Sequence, residues 1–133
     1  MDKMYKDILD TIEGDNKSDD ICLEDGKNKF KISGKKFLVV EGFTVLNFEP
    51  IIKLCDFSYY FVLEYGECAM RRCYRVYDPP DIPGYFEQCV WPEHIKYRAE
   101  IEKDHRVKIL DGMAQNSLEV VLADLASLQN HKA

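Results

Sequence analysis

Three prolines, Pro79, Pro80 and Pro83, stand within five residues of this 133-residue chain, and no regular element can run through them. Proline lacks an amide hydrogen and fixes its own φ angle, so it interrupts both helix interiors and central strands. The segment from Asp78 to Gly84 is therefore predicted to be a stiff, irregular loop. It divides the chain into a part before it and a part after it.

Before this loop, the pattern predicts hairpins. Residues 57–65 and 68–77 are rich in aromatic and branched side chains and flank Gly66, which is typical of two paired strands. Residues 30–40 alternate apolar side chains with lysines around a Ser-Gly turn and predict another hairpin. Residues 49–52 stay open, because Pro50 suits the first turn of a helix but a strand is nearly as compatible.

Three helices are predicted outside this region. Apolar residues from Met1 to Ile12 recur at helical spacing, and Gly14 follows where a helix-ending glycine would stand. Pro92 favours the start of a helix that reaches about Asp104, and a leucine-rich stripe predicts a C-terminal helix.

Together these elements predict an α+β fold in a single domain of residues 1–133. The predicted sheet is mostly antiparallel, has about five or six strands, and is packed by the N-terminal, middle and C-terminal helices. The strands expected are residues 21–23, 30–32, 37–40, 57–65, 68–77 and 107–110, with a turn at residues 24–26.

Charge is distributed unevenly along the chain, whose net charge is −6. Residues 1–25 hold nine acidic and three basic residues, whereas residues 26–36 hold five lysines and no acid. Residues 37–133 are acidic again. A chain without a broad basic field is a poor candidate for binding a nucleic-acid backbone, so no nucleic-acid partner is expected.

The spacing of the cysteines and the polar N-terminal residues both favour a cytoplasmic location. Five cysteines at irregular spacing are unlike a secreted disulfide framework. No apolar run approaches the length of a membrane span, and the polar N-terminal residues are unlike a signal peptide. We therefore expect a cytoplasmic protein with no membrane association.

Motifs for catalysis are absent from these 133 residues. There is no zinc-type Cys or His spacing, no glycine-rich phosphate loop, no dinucleotide fingerprint and no nucleophile elbow. Arginines beside Cys68 and Cys73 would lower a thiol pKa, which keeps a small Cys or His enzyme open as an alternative. The main expectation is a protein that is no enzyme and holds no metal or cofactor.

The proline loop and the acidic N-terminal segment are the predicted partner-binding surface. Tyrosines anchor interfaces well, a stiff loop loses little entropy on binding, and carboxylates suit a basic partner. The candidate residues are Tyr77, Asp78, Asp81, Tyr85 and Glu87 in and beside the loop, and Asp15, Asp19, Asp20, Glu24 and Asp25 near the N terminus.

In size, acidity and lack of catalytic motifs, the chain resembles the immunity proteins of bacterial contact-dependent and polymorphic toxin systems. The resemblance implies a monomer more readily than a dimer. It also implies that the chain neutralises a cognate toxin, expected to be a basic nuclease, by blocking its active site. The alternative from residues 1–77 is a homodimeric chaperone of the type III secretion kind that binds an effector.

Overall fold

The computed structural model describes residues 1–14, 24–25, 28–29 and 37–130, with only the backbone described at 24–25, 28–29 and 129–130. The helices are α1 (Asp2–Gly14), α2 (Glu49–Ile52), α3 (Tyr65–Cys73), α4 (Trp91–Ile101) and α5 (Ser117–Asn130). The strands are β1 (Glu24–Asp25), β2 (Asn28–Lys29), β3 (Ser58–Val62) and β4 (Val107–Asp111).

The chain forms two compact units, one of Met1–Leu54 with Leu118–Ala133 and the other of Cys55–Ser117. In the first unit, the short strands β1 and β2 pair antiparallel. Its buried side chains include those of Ile8, Val45, Ile51 and Ile52. The expectation of a single domain stays a prediction.

The second unit is built on a parallel pair, in which β3 lies beside β4 from Ser58 opposite Val107 to Val62 opposite Asp111. Parallel strands need a long crossover connection, and the chain from α3 to α4 supplies it. A π-helical turn at Phe86–Val90 runs directly into α4. The buried side chains of this unit include Ser58, Ile101, Val107 and Leu110.

The predicted antiparallel sheet of five or six strands is wrong. Residues 68–77, expected as a strand, lie mainly in α3, so β3 has no hairpin partner after Gly66. The helix is favoured locally, because Glu67 and Arg71 stand one turn apart and form an ion pair. Basic side chains in its last turn also suit the negative end of the helix dipole.

The structure confirms some of the other predicted elements and contradicts others. The N-terminal, middle and C-terminal helices are confirmed, as is the strand at 107–110, and residues 49–52 prove to be helix. Residues 37–40 form no strand. The predicted strands at 21–23 and 30–32 lie outside the described residues. Residues 78–84 hold neither helix nor strand, as the prolines predict, and residues 74–77, expected as the end of a strand, hold neither.

Two glycines should respond oppositely to alanine. Gly84, at the end of the proline loop, has φ +80°, where a Cβ costs about 1–2 kcal/mol. Gly66 in α3 has open space around the position of a Cβ, and alanine there should stabilise by about 0.5–1 kcal/mol. Urea denaturation of Gly84→Ala and Gly66→Ala measures both, and equal effects would contradict this description of the loop.

Candidate functional site

The C-terminal end of α3 places three arginines beside the proline loop. Arg71 and Arg72 occupy the last turn of the helix, and Arg75 follows it with its amide donating to the Arg72 carbonyl at 3.0 Å. This turn carries the chain directly from the helix into the loop. The arginines therefore lie close to the loop in the chain itself, without a contact between distant segments.

Arg72 forms an ion pair with Asp81 across the loop. Its Nε donates to Asp81 Oδ2 at 2.8 Å, and its Nη2 lies 2.7 Å from the same oxygen. The two side chains are only 22% and 30% exposed, whereas the Lys53–Glu49 pair on α2 is 67% and 55% exposed. Partial burial reduces solvent screening, so the Arg72–Asp81 pair holds the loop more firmly than an open surface pair would.

Aromatic rings surround the Arg72 guanidinium. Its central carbon lies 4.5 Å from the centre of the Tyr77 ring, 5.6 Å from that of Phe86 and 5.9 Å from that of Tyr85. Such distances give cation–π attraction. We call Arg72, Tyr77, Asp81, Tyr85 and Phe86 the Arg72 cluster.

An aromatic group extends from the cluster to α4. The Phe86 ring centre lies 5.6 Å from that of Tyr65 and 6.0 Å from that of Trp91, and Tyr65 meets Trp91 edge to face at 5.1 Å. Trp91 in turn lies 5.0 Å from the His94 ring. Because these rings contact one another, the Arg72 cluster packs against an aromatic group at the start of α4.

His94 and Tyr60 connect this aromatic group to the sheet of β3 and β4. The Tyr60 hydroxyl lies 3.4 Å from His94 Nδ1, and the two rings stack at 6.4 Å. Burial, and then the Arg98 charge, lower the pKa of His94. Burial is also the main cause that raises the pKa of Tyr60. Both groups therefore favour their neutral forms.

The Cys68 thiol shows no sign of activation. Cys68 and Cys73 lie in α3, not in a strand, and burial raises the pKa of Cys68 although Arg71 works against it. Among the described residues, no group of three or more Cys, His or acidic side chains is arranged to hold a metal. No described helix is long and apolar enough to cross a membrane.

The structure brings some of the predicted partner-binding residues together. Tyr77, Asp81 and Tyr85 meet around Arg72, whereas Asp78 and Glu87 are exposed and take no part in the cluster. Glu24 and Asp25 form β1, and Asp15, Asp19 and Asp20 lie outside the described residues. That these residues bind a partner stays a prediction.

No protein-family model matches the chain. Human nicotinamide riboside kinase 1 is 45% identical over 76 residues, covering 56% of this chain and 38% of that protein. Mouse nicotinamide riboside kinase 2 is 43% identical over 77 residues, covering 57% and 40%. Human nicotinamide riboside kinase 2 is 37% identical over 99 residues, covering 74% and 43%. The chain spans about two fifths of the length of these relatives.

These similarities overturn the immunity-protein interpretation and the expectation that the chain is no enzyme, because the relatives are named kinases. The toxin partner and the secretion chaperone are wrong on the same ground, and a small enzyme is the nearer alternative. Acidity misled because surface carboxylates are common on soluble proteins of many functions. The oligomeric state stays a prediction.

The arginines beside the loop are not among the residues that the sequence predicts to bind a partner. The role predicted for Arg71, Arg72 and Arg75 is limited to lowering a thiol pKa, although three arginines within five residues, directly before a tyrosine-flanked loop, are a signal in themselves. Arginine is well suited to phosphate oxygens, which it contacts through paired donors. Expecting a strand there hid the signal, because a strand would place these side chains on alternating faces.

The low pKa of His94 predicts a stability loss in acid. A protonated His94 is disfavoured in the folded state, so its contribution to stability is complete above the ordinary pKa of 6.5 and is lost as pH falls below it. Unfolding followed by fluorescence of Trp91, the only tryptophan, should show this loss between pH 7.5 and 5.5. His94→Gln should reduce the loss, and the exposed His105→Gln should not. Equal pH dependence in all three proteins would contradict the assignment.

Proposed function

We propose that this chain carries the substrate-binding part of a nicotinamide riboside kinase. The 45% identity to human nicotinamide riboside kinase 1 over 76 residues is the observation that carries the proposal. In a chain of 133 residues, a match of that length includes α3 wherever it begins. The 99-residue match to human nicotinamide riboside kinase 2 likewise includes the proline loop and the start of α4.

The arginines suit the chemistry of phosphoryl transfer. Enzymes of this kind work mainly by holding the reactants in place and stabilising negative charge on the transferred group. Arg71 and Arg72 lie in the last turn of α3 and Arg75 follows the helix, and the guanidinium group suits phosphate oxygens. We propose that they bind acceptor oxygens of the substrates at the mouth of the proline loop.

The aromatic side chains suit the other half of the substrate. Nicotinamide riboside carries a flat pyridinium ring with a positive charge, and such a ring is attracted to the face of a tyrosine. Tyr77 and Tyr85 lie in the Arg72 cluster, and Tyr74, at the end of α3, is 84% exposed. A stacking platform and hydrogen-bond donors for a sugar or a phosphate therefore occur within one short stretch.

The proposal concerns binding by this chain, because the 133 residues contain no glycine-rich phosphate loop of the P-loop type. The chain spans about two fifths of its relatives, so the complete phosphoryl-transfer reaction is a proposal about the whole protein. A cytoplasmic location is part of the same proposal and is supported by the irregular set of free cysteines.

Calorimetric titration of the chain with nicotinamide riboside tests the proposal. Binding is expected, and Arg72→Gln should weaken it about tenfold or more, because a hydrogen bond from a charged donor contributes about 1.5–3 kcal/mol. Arg98→Gln is the matched control, since Arg98 on α4 also pairs with one carboxylate, that of Glu102, at 2.7 Å. The control should bind as the unaltered chain does.

Two results would contradict the proposal. One is the absence of any heat from nicotinamide riboside and from magnesium ATP at millimolar concentration. The other is equal weakening by Arg72→Gln and Arg98→Gln, which would mean that the effect is a general response to losing an arginine. Nicotinamide without ribose is the ligand control and should bind more weakly.

A further inference from the structure

We propose that Asp81 is a positioning residue, which holds Arg72 by one edge so that its other edge binds oxygen atoms of a substrate. This inference rests on the proposed function, because it needs a ligand at the Arg72 cluster. Asp81 itself touches no substrate in this account. It acts only through Arg72.

The hydrogen bonds show which edge of Arg72 is occupied. A guanidinium has five N–H donors in a fixed plane, arranged along two edges that can each meet a pair of acceptors. Nε and Nη2, the donors of the side edge, both lie against Asp81 Oδ2 at 2.8 and 2.7 Å. Within the part of the chain that the structure describes, Nη1 at the end edge meets no acceptor. The end edge therefore keeps donors that no described acceptor occupies, and we call it the open edge.

The aromatic rings around Arg72 restrict the orientation of its guanidinium plane. Tyr77 covers a face of the guanidinium at 4.5 Å, and the Phe86 and Tyr85 rings lie within 6 Å of its central carbon. A carboxylate at one edge and rings around the face restrict both tilt and rotation of the group. A donor that is ordered before the ligand arrives loses less entropy on binding.

The route of the chain explains why this task falls to Asp81. Asp81 stands nine positions after Arg72, and the proline-stiffened loop turns the carboxylate back toward α3. Stiff segments lose little freedom when their ends meet, so the pair forms at low entropic cost. Asp78 begins the same loop but is not the carboxylate that Arg72 contacts, which makes it a natural control.

The ligand chemistry follows from the open edge. The two N–H donors of this edge and the positive charge require acceptor oxygens. Two sources offer such oxygens, namely the ribose hydroxyls of nicotinamide riboside and the phosphates of a nucleotide. The two ligands can be added separately, so a titration distinguishes them.

Arginine side-chain NMR tests the first half of the inference. The Nε–H signal of Arg72, assigned through its loss in Arg72→Gln, should exchange slowly with water in the unaltered chain. It should exchange faster in Asp81→Asn, and Asp81→Glu should restore part of the protection. Asp78→Asn and Glu102→Gln are the controls and should leave this signal unchanged. Fast exchange of the Arg72 signal in the unaltered chain would overturn the inference, provided that thermal melts show a folded protein.

Ligand titrations of the same samples test the second half. Nicotinamide riboside and magnesium ATP are added separately, and the one that supplies the oxygens should shift the Arg72 signal. Asp81→Asn should weaken that ligand about tenfold, and Asp78→Asn should not. If a ligand binds but Asp81→Asn binds it as the unaltered chain does, this inference fails and the proposed function stands. If neither ligand binds the unaltered chain, both fail.

Discussion

The ion pair between Arg72 and Asp81 decides the shape of the candidate site. It joins the end of α3 to a loop in which prolines exclude both helix and strand. Tyr77 and Tyr85 are brought to the same guanidinium, and a set of polar and aromatic groups lies at one place.

The rest of the second unit supports that contact. The parallel pair of β3 and β4 needs a crossover, and the crossover contains α3, the loop and α4 in succession. Phe86 belongs both to the Arg72 cluster and to the ring group that includes Tyr65 and Trp91. The packing of α4 therefore helps to fix the side chains of the Arg72 cluster, because closely packed aromatic rings allow few arrangements.

Sequence reasoning found the elements whose signals are local and missed those whose partners are distant. The stripe in α1 and the proline at the start of α4 predict helices from neighbouring residues alone. Whether β3 pairs with its neighbour or with β4 depends on residues almost fifty positions away, and no nearby signal reports this. Residues 68–77 misled because aromatic and branched side chains resemble a strand, while the Glu67–Arg71 pair of a helix was overlooked.

Only part of the candidate site could likewise be predicted from the sequence. The loop was predicted as a binding surface, and three of its proposed residues do meet in space, but the arginine that gathers them was not among those named. Their meeting depends on how far the chain turns between α3 and α4, which the composition of the loop leaves open. The expectation of a toxin as partner came from acidity, a bulk property shared by proteins of many functions.

The most direct measurement is a crystal structure of the chain with nicotinamide riboside. We expect density for the ligand at the proline loop, with its oxygen atoms within hydrogen-bond distance of Arg72 Nη1 or Nη2 and Asp81 still paired to Nε. Density for the ligand at another part of the chain, with the Arg72 cluster unchanged and empty, would contradict it.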